Sequence, residues 1–399
     1  MPPLNIEERT PTPSPNGFAL FALGFRPFFL AAGIAAVALL AGWLHSYSSG
    51  TPLSNYYGFV GWHSHEMLFG YVLAVVAGFL LTAVRNWTGI DTPSGTPLML
   101  LFLLWAAGRI TPLFSELIPA PLIALIDLAF VPALGVAAGT PLVRAKQKNN
   151  AIFLLIIALL TIANLMIHLE ALDIAPTGKS GINLAVGMIV LLVAVLGGRV
   201  IPFFTERGLG NVKTHSWPWV EKSAIGTLLL LVVTEQLLPD TVAVALVAIF
   251  ATLIHAFRLY GWLPLRTART PLLWVLHIAY LWIVIGLLFK ALVIFDIIPS
   301  VLALHALTVG GIGMMTLGMM ARVAIGHTGR EMVIGHSIAF AFALVGIAAV
   351  IRVLLPLSMM DQYPLLITLS GVAWITAFSI FVVVYLPILI RPRIDGRPG

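Results

Sequence analysis

"HSHEMLFGYVLAVVAGFLLTAVRNWTG", residues 63–89, decides the class of this protein. Between Met67 and Val84 the run contains no charged residue. A helix rises 1.5 Å per residue, so about 20 apolar residues cross the hydrocarbon of a bilayer. Arg85 ends the run on one side. On the other side two histidines, a glutamate and a methionine fall within five positions, an expensive set of groups to place at a membrane edge.

The same pattern fills the chain. Of its 399 residues 60% are hydrophobic and 10% charged, against roughly 25% charged in soluble domains. The composition therefore gives an all-α polytopic membrane protein. Twelve apolar segments are long enough to span: 27–46, 63–85, 97–115, 119–143, 150–169, 181–204, 220–238, 241–260, 271–292, 298–322, 333–356 and 363–390. The connections are short, and the longest, 205–219, reads "TERGLGNVKTHSWPW". One transmembrane domain is expected over 24–391, flanked by cytoplasmic tails at 1–23 and 392–399. The first tail contains Pro11, Pro13 and Pro15 and lacks the basic, apolar and small-residue order of a signal peptide. The absence of cysteine excludes disulfides, thiolate metal sites and iron–sulfur clusters.

The net charge of +6 does not point to nucleic acid, because in such a chain the placement of Lys and Arg reports topology. With the N-terminus inside, eighteen of the 22 basic residues fall inside, and four, Arg109, Lys179, Lys290 and Arg352, fall outside. That asymmetry predicts twelve spans with both termini cytoplasmic.

A weak repeat aligns the second and tenth spans at an offset of 240. His65 falls on His305, Gly70 on Gly310, Gly78 on Gly318, Thr88 on Thr328 and Gly89 on Gly329. Each histidine stands 23 residues before a Thr-Gly, which predicts similar depth near the outer leaflet. His63 and His65, two residues apart, differ by about 200° around a helix and face opposite sides. Glu66, three residues after His63, is expected on the face of His63. Gly310, Gly311, Gly313 and Gly318 permit close approach of a helix or a flat cofactor. The methionines beside them, Met314, Met315, Met319 and Met320, read better as apolar filler than as copper(I) ligands. His277 and His255 fall toward the inner side. Asp127 is a carboxylate near mid-membrane, suited to pairing with an arginine, relaying protons or binding a cation.

Six stretches together resemble the NnrS family: "GFRPFFLAAG" (24–33), residues 63–89, "GGRVIPFFTERG" (197–208), "LLWVLH" (272–277), "HALTVGGIGMMTLGMMAR" (305–322) and "GHTGR" (326–330). The resemblance implies a bacterial inner-membrane protein that contains haem b and copper. It also implies a link to denitrification, nitric oxide and nitrosative stress. The family's histidine motifs map onto His63, His65, His277, His305 and His327 as candidate metal ligands. A haem needs axial ligands at similar depth on facing helices, and the spacing offers His65 and His305. Copper would prefer imidazoles such as His63 and His277. The competing reading is a twelve-helix secondary transporter that uses intramembrane histidine and Asp127 for protons or substrate.

Overall fold

The computed structural model describes residues 17–51 and 54–397. Pro11, Pro13 and Pro15 lie outside these residues. Twelve long helices follow one another, and no strand occurs among the described residues. They are α1 Phe25–Ser49, α2 Phe59–Thr88, α3 Thr96–Phe114, α4 Ala120–Arg144, α5 Lys148–Ala171, α6 Gly178–Leu209, α7 Pro218–Leu237, α8 Val242–Gly261, α9 Pro271–Ile294, α10 Ser300–His327, α11 His336–Leu357 and α12 Met360–Ile390.

Eleven are long and apolar enough to cross a membrane. The remaining one, α7, has the length but carries Glu221, Lys222 and Glu235. Glu221 pairs with Arg258 of α8 and Glu235 with Lys290 of α9, so neighbouring helices neutralise both acids. The chain ends provide a second argument for counting α7. Ala19 N–H donates to the Ile390 carbonyl at 2.8 Å, and Ile394 N–H donates to Thr328 at 3.2 Å. The start of α1 and the end of α12 therefore share one face, which requires an even number of crossings. Arg26, fully buried, secures that face by donating to the terminal carbonyls of Leu389 at 3.0 Å and Arg391 at 2.6 Å. Those carbonyls have no partner within the helix.

Among the boundaries that differ from the sequence reading, two bear on the site and the longest loop. Helix α2 starts at Phe59, so His63 and His65 both lie within it. Helix α6 runs to Leu209 and shortens the expected 205–219 loop to residues 210–217. The Glu206 carboxylate accepts from Thr214 N–H at 2.9 Å and folds the loop back on the helix end.

Helices α2 and α10 occupy the interior, with 83% and 72% of their apolar windows buried, against 28% for α3 and 33% for α12. Each contains one widened turn. Residues Glu66–Val72 of α2 and Ala306–Gly313 of α10 are π-helical, and they coincide at the offset of 240. The repeat extends to the following helices. Arg109 of α3 and Arg352 of α11 each stand just before a 3-10 turn with proline in its first two positions, Thr111–Phe114 and Leu355–Leu357. The glycines of α10 serve helix packing. A Cβ on Gly313 would stand 2.5 Å from the Trp374 ring of α12, and one on Gly318 would stand 2.8 Å from Val275 of α9. The four methionines beside them are buried in the apolar core.

Candidate functional site

The two histidines of "HSH" sit immediately before the π-helical turn of α2. Such turns disrupt the regular ladder and recur at functional positions. The rings diverge into different surroundings, on the half of the bundle away from the chain ends.

His63 faces a cavity of about 410 Å³ bordered by α1, α2, α6, α10, α11 and α12. Cofactor pockets occupy roughly 300–1,000 Å³ and are mostly apolar. This one is walled by aromatic and aliphatic side chains, with His63, His305 and Arg352 among the few polar ones. The His63 ring stacks on Trp43 with centroids 4.5 Å apart. His305 Nδ1–H donates to the Val301 carbonyl at 2.8 Å. That bond fixes the tautomer and leaves Nε2 as an acceptor, to which Arg352 Nη2 donates at 3.4 Å. Arg352 Nη1 donates to the Tyr363 hydroxyl at 2.5 Å. Among the described residues no carboxylate lies within ion-pair distance of Arg352, although it is only 8% exposed.

His65, on the other side of α2, enters a buried polar cluster with α3, α4 and α5. Its Nδ1 is 3.1 Å from Glu66 Oε1. Its Nε2 is 2.9 Å from Asn164 Oδ1, 3.2 Å from Asp127 Oδ2 and 3.1 Å from the Tyr57 hydroxyl. His168 Nε2 reaches the same Asp127 oxygen at 3.0 Å, and its Nδ1 lies 3.3 Å from the Tyr56 hydroxyl. Arg109 joins the two acids, donating from Nη1 to Glu66 Oε1 at 2.7 Å and from Nη2 to Asp127 Oδ1. Glu66, His65 and His168 are fully buried and Asp127 is 1% exposed. The ligand-capable atoms of His65, Asp127 and His168 all lie within 4.8 Å of one another, close enough that they could hold a metal ion.

The NnrS family model, described as NnrS protein, matches residues 19–393. The chain belongs to the NnrS family. No curated protein matches it.

Within this NnrS-family chain the donor sets can be weighed against the groups the family resemblance implies. A haem presents a flat apolar macrocycle with two carboxylates. The cavity offers imidazoles from α2 and α10, apolar walls and a buried arginine that lacks a carboxylate partner, so the residues fit. A copper ion takes imidazole nitrogen readily, and the His65 cluster offers two imidazoles and a carboxylate oxygen.

The structure brings His305 together with His63 at the cavity wall, while His65 turns away from it. Glu66 stands beside His65 because it opens the π-helical turn and Arg109 holds its carboxylate, so it does not share a face with His63. His277 lies near the other end of the bundle. Its Nδ1 faces the Leu273 carbonyl at 3.0 Å and its Nε2 the Trp262 carbonyl at 3.3 Å. His255 is nearby in the chain fold but is engaged by the Tyr280 hydroxyl at 2.6 Å and the Ala224 carbonyl at 3.1 Å. His327, at the last turn of α10, packs 5.8 Å from the Phe25 ring and lies in the field of Arg26 and Arg393. Those cations make it a poor place for a metal ion.

Sequence reading did not select His168, Asn164, Arg109 or Arg352. His168 and Asn164 carried a signal, since they are four residues apart on a mostly apolar helix and share one face.

Proposed function

We propose that this protein is a haem- and copper-containing electron-transfer protein of the bacterial inner membrane, acting in the response to nitric oxide and nitrosative stress. His63 and His305 would hold a haem b in the cavity between α2 and α10, and Arg352 would balance its carboxylate charge. The observation that carries this reading is the pair of imidazoles, on two facing interior helices, bordering one apolar cavity. The carboxylates of a bound haem would supply the negative charge that Arg352 lacks. When bound through two imidazoles, a haem carries single electrons and leaves no open position for a diatomic gas. The chain's part is to orient the rings, through Trp43 on His63 and Val301 on His305, and to exclude water with aromatic walls. The positive-inside rule favours a cytoplasmic face for the chain ends and places the cavity near the outer leaflet.

Purified protein should show a Soret band at one haem per chain. Reduced wild type should give no spectral change with carbon monoxide. His63→Ala or His305→Ala should lose the haem or open it to carbon monoxide, and His65→Ala should keep the wild-type band. A folded, colourless protein refutes the proposal, as do unchanged spectra for both His63→Ala and His305→Ala.

A further inference from the structure

We propose that the cluster behind His65 is a mononuclear site for a divalent transition metal, copper(II), ligated by His65 Nε2, His168 Nε2 and Asp127 Oδ2. A fourth oxygen comes from Asn164 or Tyr57. The assignment of copper rests on the functional reading above, whereas the site itself rests on geometry.

Three donor atoms from three helices converge within 4.8 Å, all of them buried. Each ligand is also held from behind. Glu66 Oε1 stands 3.1 Å from His65 Nδ1. The Tyr56 hydroxyl stands 3.3 Å from His168 Nδ1. Arg109 holds the other oxygen of Asp127. Metal-binding imidazoles characteristically donate their second N–H to a carboxylate or another oxygen, which fixes the ring and the tautomer. Both histidines have such a partner here, and both present Nε2 to one oxygen.

Charge gives the same answer. With neutral imidazoles, Glu66 and Asp127 contribute two negative charges and Arg109 one positive charge. The cluster then carries an unbalanced negative charge inside the membrane, which a cation at the two Nε2 atoms would offset. The donor set selects among metals. It contains no thiolate or thioether, which argues against copper(I), and mixed imidazole and oxygen ligation suits a divalent ion. Copper(II) heads the affinity order for such donors.

The second histidine of "HSH" would thus serve a metal centre on one side of α2, while His63 serves the haem cavity on the other. Neither His63 nor His277 contributes to this site.

The test is titration of copper(II) into detergent-purified, metal-stripped protein. Bound metal is counted by elemental analysis and ligation is read by electron paramagnetic resonance. Wild type should bind one copper(II) with hyperfine coupling to two imidazole nitrogens. His168→Gln should weaken binding by at least about 100-fold, and Glu66→Gln by about 10–100-fold, each with the Soret band unchanged. Wild-type copper affinity in folded His168→Gln overturns the site. So does a wild-type spectrum without two-nitrogen coupling, a result that decides the matter even where a variant does not fold. Loss of the Soret band from wild type would sink the haem reading and leave the copper titration intact.

Discussion

Arg109 is the residue whose loss should be felt most widely, because one guanidinium ties three helices. It sits on α3, and its two Nη atoms reach Glu66 on α2 and Asp127 on α4. The acids it joins are 0% and 1% exposed. Arg109→Met leaves both without a cation, and removing one partner of a buried ion pair costs about 3–5 kcal/mol. Asp127 keeps the Asn164 Nδ2 donor at 2.9 Å, which favours the lower end of that range. One kcal/mol moves the melting midpoint of a 150–250-residue protein by roughly 2–4 °C, and the entropy of unfolding scales with length. For 399 residues the shift is about 1–2 °C per kcal/mol, so a fall of about 3–8 °C is expected. The assay is the fraction of detergent-solubilised protein that stays monodisperse after heating. Arg109→Lys should fall between wild type and Arg109→Met, since an ammonium lacks the planar fork that serves two carboxylates. In an Asp127→Asn background, Arg109→Met should cost about 0.5–3 kcal/mol less than in wild type, because the two residues are in contact. A midpoint for Arg109→Met within about 1 °C of wild type, or strict additivity with Asp127→Asn, would refute the network as a structural tie.

Three further outcomes are expected. Gly313→Leu should destabilise by about 1–3 kcal/mol through overpacking, because Trp374 is pinned by its Nε1–H bond to the Ala36 carbonyl at 3.1 Å; Gly335→Ala, with nothing within 4 Å, should leave the midpoint unchanged. Arg393 holds the Asp395 carboxyl well below the usual carboxylate range. Its contribution is therefore fully present above the ordinary value of about 3.9 and is lost only as pH falls through the lowered one, so a spin label at Ile394 should be as immobile at pH 5 as at pH 7, and release by pH 5 would contradict the pairing. Fluorescent-protein fusions should be bright at both chain ends, and alkaline phosphatase inserted between α1 and α2 or between α11 and α12 should be active; the reverse pattern inverts the orientation.

The helices were legible from composition because lipid demands unbroken apolar runs, and each expected span corresponds to a helix. Helix α7 shows where that signal weakens, since its acids are neutralised by Arg258 and Lys290 from helices that only the tertiary fold makes adjacent. The opposite aim of His63 and His65 followed from helical rotation alone. Their partners did not. Spacing matched His65 to His305 by depth, but depth does not state which side of an interior helix faces which neighbour. The sequence also hid the turn that sets the position of Glu66. A π-helical segment has no strong signature in residues such as "EMLFGYV", and a three-residue separation reads as one face only when the α ladder continues. His168 and Asn164 were visible as polar residues one turn apart on α5, yet nothing local tied them to α2 and α4.

The repeat explains why one fold would hold two different centres. His65 and His305 occupy equivalent positions, each before a π-helical turn, and Arg109 and Arg352 approach them from equivalent helices. The difference lies in the acids. Glu66 occupies the place that Ala306 holds at the offset of 240, and Asp127 completes the neutralisation of Arg109. That half of the molecule has a surplus of negative charge beside two imidazoles, a setting for a cation. In the other half no carboxylate among the described residues replaces these groups, so Arg352 remains a buried cation beside His305 and an apolar cavity, a setting for a flat ligand that brings its own carboxylates. The second imidazole of that cavity, His63, is borrowed from the first repeat, two residues from His65. One turn of α2 therefore forms part of both walls, with a single residue, Ser64, between the two histidines.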